Sequence, residues 1–162
     1  MVCMGTSLEL EKLIWDENDF EHMGWHDAKV YAVAFMDESF EFVLDIDYVL
    51  EWIHPKEGES NFKFWVAPST LVFRNVWDLN IDLEGRVDLE ILDLHRGNLH
   101  KPKNAEHIKE FAEYDWRIET DSGEIAFKSA GYKQYFRKPP ALLDRQRIGL
   151  KERGGISFDV IH

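Results

Sequence analysis

From residue 40 to residue 52 every even position is apolar or aromatic: Phe40, Phe42, Leu44, Ile46, Tyr48, Leu50 and Trp52. The odd positions hold Glu41, Asp45, Asp47 and Glu51, interrupted only by Val43 and Val49. Side chains of a strand alternate between its faces, so this run predicts one long strand with a core face and a largely wet face. Residues 28–36 are apolar on both faces, and Asp37-Glu38-Ser39 suits a hairpin joining the two strands.

Further strands are expected over 62–66 and 70–76, parted by Ala67-Pro68-Ser69, where proline should end a pairing ladder. Trp77, Leu79, Ile81 and Leu83 alternate with polar residues, and alternation resumes at Val87, Leu89 and Ile91 after Glu84-Gly85-Arg86. That pattern predicts a hairpin turning on Gly85. The apolar phase then slips by one residue at Ile91-Leu92 and continues on Leu94, as at a β-bulge. A second hairpin is predicted around Asp121-Ser122-Gly123, with a bend at Gly131 and a final strand over 156–161.

Two short helices are expected. Thr6-Ser7-Leu8-Glu9 has the form of a capping box, with Leu10, Leu13 and Ile14 at helical spacing over 7–15. Asn104 could cap a second helix over 105–113, with Ile108, Phe111 and Ala112 as its apolar stripe. The expectation is a mainly β protein, β-rich α+β, whose antiparallel strands form a sandwich or a strongly curved sheet. At 162 residues one domain, 1–162, accounts for the whole chain.

Composition adds six Trp, five Tyr and eleven Phe, residues that suit pleated, half-buried surfaces. The single cysteine, Cys3, cannot form an internal disulfide. The first residues lack a basic segment followed by an apolar run, and no stretch reaches the roughly 18 apolar residues of a membrane span. A cytoplasmic protein without membrane contact is therefore expected.

Charge narrows the partner. Net charge is −12, but residues 1–100 carry 21 acidic and 7 basic side chains, a net of −14. Such a surface repels phosphate backbones, which argues against nucleic acid, and attracts a basic protein. Negative charge that simply maintains solubility is the plainer explanation.

Candidate chemistry centres on Trp25-His26-Asp27, just before the first long strand. An adjacent His and Asp could be a catalytic pair or metal ligands, yet neighbours in an extended chain point to opposite faces. The plainer expectation is a backbone hydrogen bond from His26 or Asp27 where the strand begins, with Trp25 packed. Asp45, Asp47 and Glu51 on the long strand form a second candidate. Paired carboxylates could bind a metal or act as acid and base, whereas a wet strand face suits electrostatic docking. His54, His95, His100 and His107 lack metal-ligand spacing, and no nucleophile elbow or phosphate loop is present. No catalytic residue, metal site or cofactor is assigned.

Trp25-His26-Asp27-Ala28, followed by a strand, a turn and a second alternating strand, resembles the opening of small uncharacterised bacterial β-rich proteins. Some of these serve as immunity proteins of polymorphic toxin systems. The resemblance covers 24–50 and implies a binding role, with no catalytic residues to carry over. The leading expectation is thus a binding protein of the immunity-inhibitor type for a basic toxin, with Trp25, His26, Asp27, Asp45, Asp47 and Glu51 as binding residues. The alternative is a small-molecule or metal-dependent enzyme with a pocket near His26 and Asp27.

Overall fold

The computed structural model describes the chain apart from Met1, Gly5, Thr6, Asn104, Ile108, Phe111, His162 and the side chains of Val2–Met4. Twelve strands run in order through it: β1 (Val2–Met4), β2 (Ser7–Glu9), β3 (Ile14–Asp16), β4 (Ala28–Met36), β5 (Glu41–Ile53), β6 (Lys63–Arg74), β7 (Trp77–Leu83), β8 (Leu89–His100), β9 (Glu113–Thr120), β10 (Gly123–Ser129), β11 (Gly131–Phe136) and β12 (Ala141–Leu143). A 3₁₀ helix spans Glu17–His22 and one α-helical turn, α1, spans Leu150–Arg153. Strands β1 and β2 pair with each other. The other ten form one antiparallel sheet, ordered β3-β11-β6-β5-β4-β8-β9-β10-β7, with β12 also on β6. No described helix is long and apolar enough to cross a membrane.

The sheet is strongly curved and stays open. Its corner is the short join between β4 and β8, limited to Ala28–Val30 against Ile91–Leu89. Bulges flank the corner, in β4 between Val30 and Ala32 and in β8 between Ile91 and Asp93. Bulges bend a strand and raise its twist, which lets one limb fold over the other. Aromatic rings fill the space between the limbs. Phe127 of β10 meets Phe42 of β5 at 5.7 Å and Phe73 of β6 at 4.7 Å, and Trp116 of β9 meets Tyr132 of β11 at 5.7 Å.

The long alternating strand forms as expected, with Phe42, Leu44, Ile46 and Tyr48 in this core. The expected bulge after Ile91 is present: Leu92 is exposed and Leu94 is buried. The β4–β5 and β9–β10 hairpins are also found.

Several local expectations are overturned. Residues 7–15 are not a helix; β2 pairs with β1, and β3 pairs with the β11 edge and buries Trp15. A nine-residue helix is marginal in water, whereas the sheet edge supplies hydrogen bonds and a buried surface. The real cap lies later. Asp16 accepts from the Asn18 amide, and Asp19 accepts from the Asp16 amide, starting the 3₁₀ helix. Thr6, and likewise Asn104, Ile108 and Phe111 of the second expected helix, lie outside the described residues. The described residues between 105 and 112 are turns and irregular chain, and Glu113 already belongs to β9.

Glu84-Gly85-Arg86 does not close a hairpin. Strand β7 pairs with β10 across the sheet's far edge, while β8 pairs with β4 and β9. Alternation on both sides of a glycine gives each strand its period but not its partner. Pro68 does not end the ladder either, since β6 runs through it and pairs it with Asp47. On its other edge β6 changes partner there, from β11 to β12, and the Pro68 carbonyl accepts from the Arg137 amide. The missing proline donor falls at that change. Residues 156–161 are irregular, not a strand.

Candidate functional site

Asp45 and Asp47 are wholly buried, not wet. The face of β5 that carries them is covered by the C-terminal segment. Arg153, at the end of α1, donates from Nε to Asp47 at 2.9 Å and from Nη1 and Nη2 to the two Asp45 oxygens at 2.8 and 2.6 Å. Arg137 adds a bond to Asp45 at 2.7 Å. Backbone amides complete the set: Ser157 donates to Asp45 at 2.9 Å and Ile148 to Asp47 at 2.7 Å.

Tyr31 donates to Asp47 at 3.1 Å, and its ring lies 4.0 Å from the Arg153 guanidinium. Burial disfavours charge on Arg153, but the bonds and charges of Asp45 and Asp47 outweigh it and hold the guanidinium more firmly protonated than usual. Two carboxylates against two guanidiniums leave the cluster neutral. It fastens the C-terminal segment, and neither aspartate can meet a partner at the surface.

Trp25 is buried as well. It lies among Phe20, Tyr48 and Tyr132, and its indole N–H donates to Gln134 at 2.7 Å. His26 and Asp27 follow in different surroundings. His26 Nδ1 lies 2.9 Å from the Leu92 carbonyl, which can only accept, so Nδ1 carries the proton. Its Nε2 is turned toward Asp27 at 3.5 Å. The expected backbone bond where the strand begins is therefore made by His26, to the bulged residue of β8.

Asp27 adopts φ 66°, a left-handed conformation that Asp tolerates better than most residues, and this turn brings its carboxylate beside its neighbour's ring. Gln146 donates to Asp27 at 2.6 Å. Burial first, then the hydrogen bond and charge of Asp27, push the Glu90 carboxyl up to about 6. Arg147 joins the group, 3.5 Å from Glu90 and 3.2 Å from Asp88. Such a pair can hold one proton between two carboxyl groups in mildly acidic conditions. Among the described residues no three His, Cys, Asp or Glu side chains are grouped as a metal would require.

The exposed side of His26 leads to a feature that alternation concealed. A bulge between Val49 and Glu51 shifts the phase of β5, so Trp52 leaves the main core. Its indole stacks on the His26 ring at 6.0 Å and packs edge-on against Phe62 at 6.0 Å and Phe64 at 5.1 Å. His54 meets Phe62 at 4.9 Å. Trp52 remains 41% exposed and Phe62 37%. Glu51, alone of the three expected carboxylates, is exposed, next to Trp52 in the chain. Alternation alone assigns Trp52, an even position, to the core face of β5. The paired signals His26 and Trp52 are 26 residues apart and have no local spacing to join them.

Comparison with protein-family models, with curated proteins and with solved structures gives no match to this chain.

Proposed function

We propose that this chain is a binding protein that engages a basic protein partner, in the manner of an immunity-type inhibitor, through the aromatic cluster around Trp52. The observation that carries the reading is Trp52 itself, an indole held by rings of His26, Phe62 and Phe64 yet 41% open to solvent. A large aromatic side chain already fixed in place loses little freedom on binding, and tryptophan is among the commonest hot spots of interfaces. Of the net −14 over residues 1–100, Asp45 and Asp47 are neutralised by Arg153 and Arg137, and the remaining acidic excess steers a basic molecule toward this part of the chain. Glu51 takes over the docking role that Asp45 and Asp47, engaged by Arg153 and Arg137, cannot fill.

The test begins with capture and identification of a partner, followed by measurement on that pure partner. Trp52→Ala should raise Kd by about 30-fold, the equivalent of about 2 kcal/mol for a hot-spot truncation. Glu51→Lys should slow association at low salt, and the difference should shrink as salt rises. If the partner is a toxin, co-expression of the wild-type chain should restore growth where Trp52→Ala does not. An acidic partner, or one that binds Trp52→Ala as tightly as wild type, sinks the reading.

A further inference from the structure

A groove of about 450 Å³ lies beside the β4–β5 hairpin, far from Trp52. Its floor is apolar: Met36 of β4 is 37% exposed, and Tyr135 of β11 and Phe158 of the C-terminal segment continue the surface over the buried Val43 and Val72. Its rim is acidic. Asp37, Glu38 and Glu41 line one side, and no lining residue is Lys, Arg or His. Among the described residues none of these three carboxylates forms an ion pair; Glu41 accepts from the Ser39 hydroxyl, at 2.7 Å. By contrast, Asp45, Asp47, Asp88 and Glu17 all have guanidinium or ammonium partners.

We propose that this groove receives the side chain of a lysine or arginine presented by an exposed segment of a basic protein. The alkyl stem would lie along Met36, Tyr135 and Phe158, with the cationic head at Asp37, Glu38 and Glu41. These two side chains are themselves amphipathic, burying a methylene stem while the charge stays at a wet rim. The match is specific in both parts. A small inorganic cation has no use for the apolar floor, and a neutral or acidic peptide gains nothing from the rim. The rim's field reaches inward: burial and the charge of Glu41 together raise the Tyr135 phenol above its ordinary value.

Val43, which lines the groove, and Trp52 stand nine residues apart on β5, about 30 Å at roughly 3.3 Å per residue. That separation is comparable to the width of a whole standard interface patch of about 800 Å². The groove is therefore a second site, and it stands or falls separately from the Trp52 reading.

The experiment is a titration of the full chain, followed by two-dimensional ¹H–¹⁵N NMR, with N-acetyl-lysine methylamide and with its uncharged counterpart N-acetyl-norleucine methylamide. The lysine probe should shift resonances of residues 35–41, Tyr135 and Phe158 saturably below about 50 mM, as millimolar affinity requires. The norleucine probe should bind about tenfold more weakly. Asp37→Asn and Glu41→Gln should each weaken the lysine probe about threefold, within the range of a single exposed ion pair. Met36→Ala, which leaves the rim intact, should weaken both probes. The spectra also report whether each variant is folded. Equal binding of the two probes, shifts spread over the acidic surface at large, or no shift at the groove would overturn the proposal.

Discussion

Arg153 and Asp45 meet with both side chains wholly buried, Nη2 2.6 Å from Oδ1 and Nη1 2.8 Å from Oδ2. The bidentate geometry joins a one-turn helix near the C-terminus to the middle of the central strand, 108 residues earlier. Asp47 on the same strand takes the Arg153 Nε. One guanidinium thus spans both aspartates, and its planar fork fits that task better than a lysine ammonium would.

Removing that guanidinium leaves two buried carboxylates with Arg137 as their remaining cation. Arg153→Met should therefore lower the unfolding free energy by about 3–5 kcal/mol, the usual cost of an orphaned buried charge. Urea denaturation measures it, with Glu51→Gln as an exposed control expected to stay within about 0.5 kcal/mol. A loss of under about 1 kcal/mol for Arg153→Met would mean that the cluster does not hold the C-terminal segment.

The Asp27–Glu90 pair gives a pH dependence whose sign can be worked out. Glu90 rises from 4.5 to about 6, so the folded chain holds this proton more tightly than the unfolded one. The stability it contributes is complete below about 4.5 and disappears as pH climbs through about 6. Glu90→Gln cannot lose a proton. Its stability minus that of wild type should increase from pH 4.5 to above 6 and then level off, read from denaturant unfolding at each pH. The subtraction removes the opposite trends of carboxylates with lowered values, such as Glu17 and Asp88. Parallel curves for the two proteins would refute the shared proton.

Gly123 opens β10 at φ 136°, where an added Cβ would run into the Asp82 carbonyl of β7. Backbone cannot yield as a flexible side chain can. Gly123→Ala should cost more than about 2 kcal/mol and act first on the β7–β10 pairing. Amide hydrogen exchange should show protection lost in Trp77–Leu83 before it is lost in β5 or β6. Gly85→Ala, with only the Ser122 hydroxyl oxygen at 3.6 Å but also a positive φ, should be milder.

Much of the fold was legible where a local rule decides it. The alternation of Phe42, Leu44, Ile46 and Tyr48 identified the core face of β5. The one-residue slip at Ile91-Leu92 identified the bulge, and Asp121-Ser122-Gly123 the β9–β10 turn. The candidate site was legible only in part. His26 and Asp27 were singled out, but the rings and carboxyls that give them their surroundings, Trp52 and Glu90, lie on other strands.

Strand periods, the bulge after Ile91 and the turns of the β4–β5 and β9–β10 hairpins were written in the sequence because each depends on residues a few positions apart. Partners and coverings were not. The same pattern of apolar and charged residues describes a strand with a wet face and a strand whose charges are met by Arg153 and Arg137. Only the tertiary structure chose between them, by bringing the C-terminal segment across β5 and burying Asp45 and Asp47. Likewise Trp52 became a surface feature through a bulge and a contact with His26, neither of which local periodicity encodes. Period is a property of the chain. Which face stays wet depends on what else folds against it.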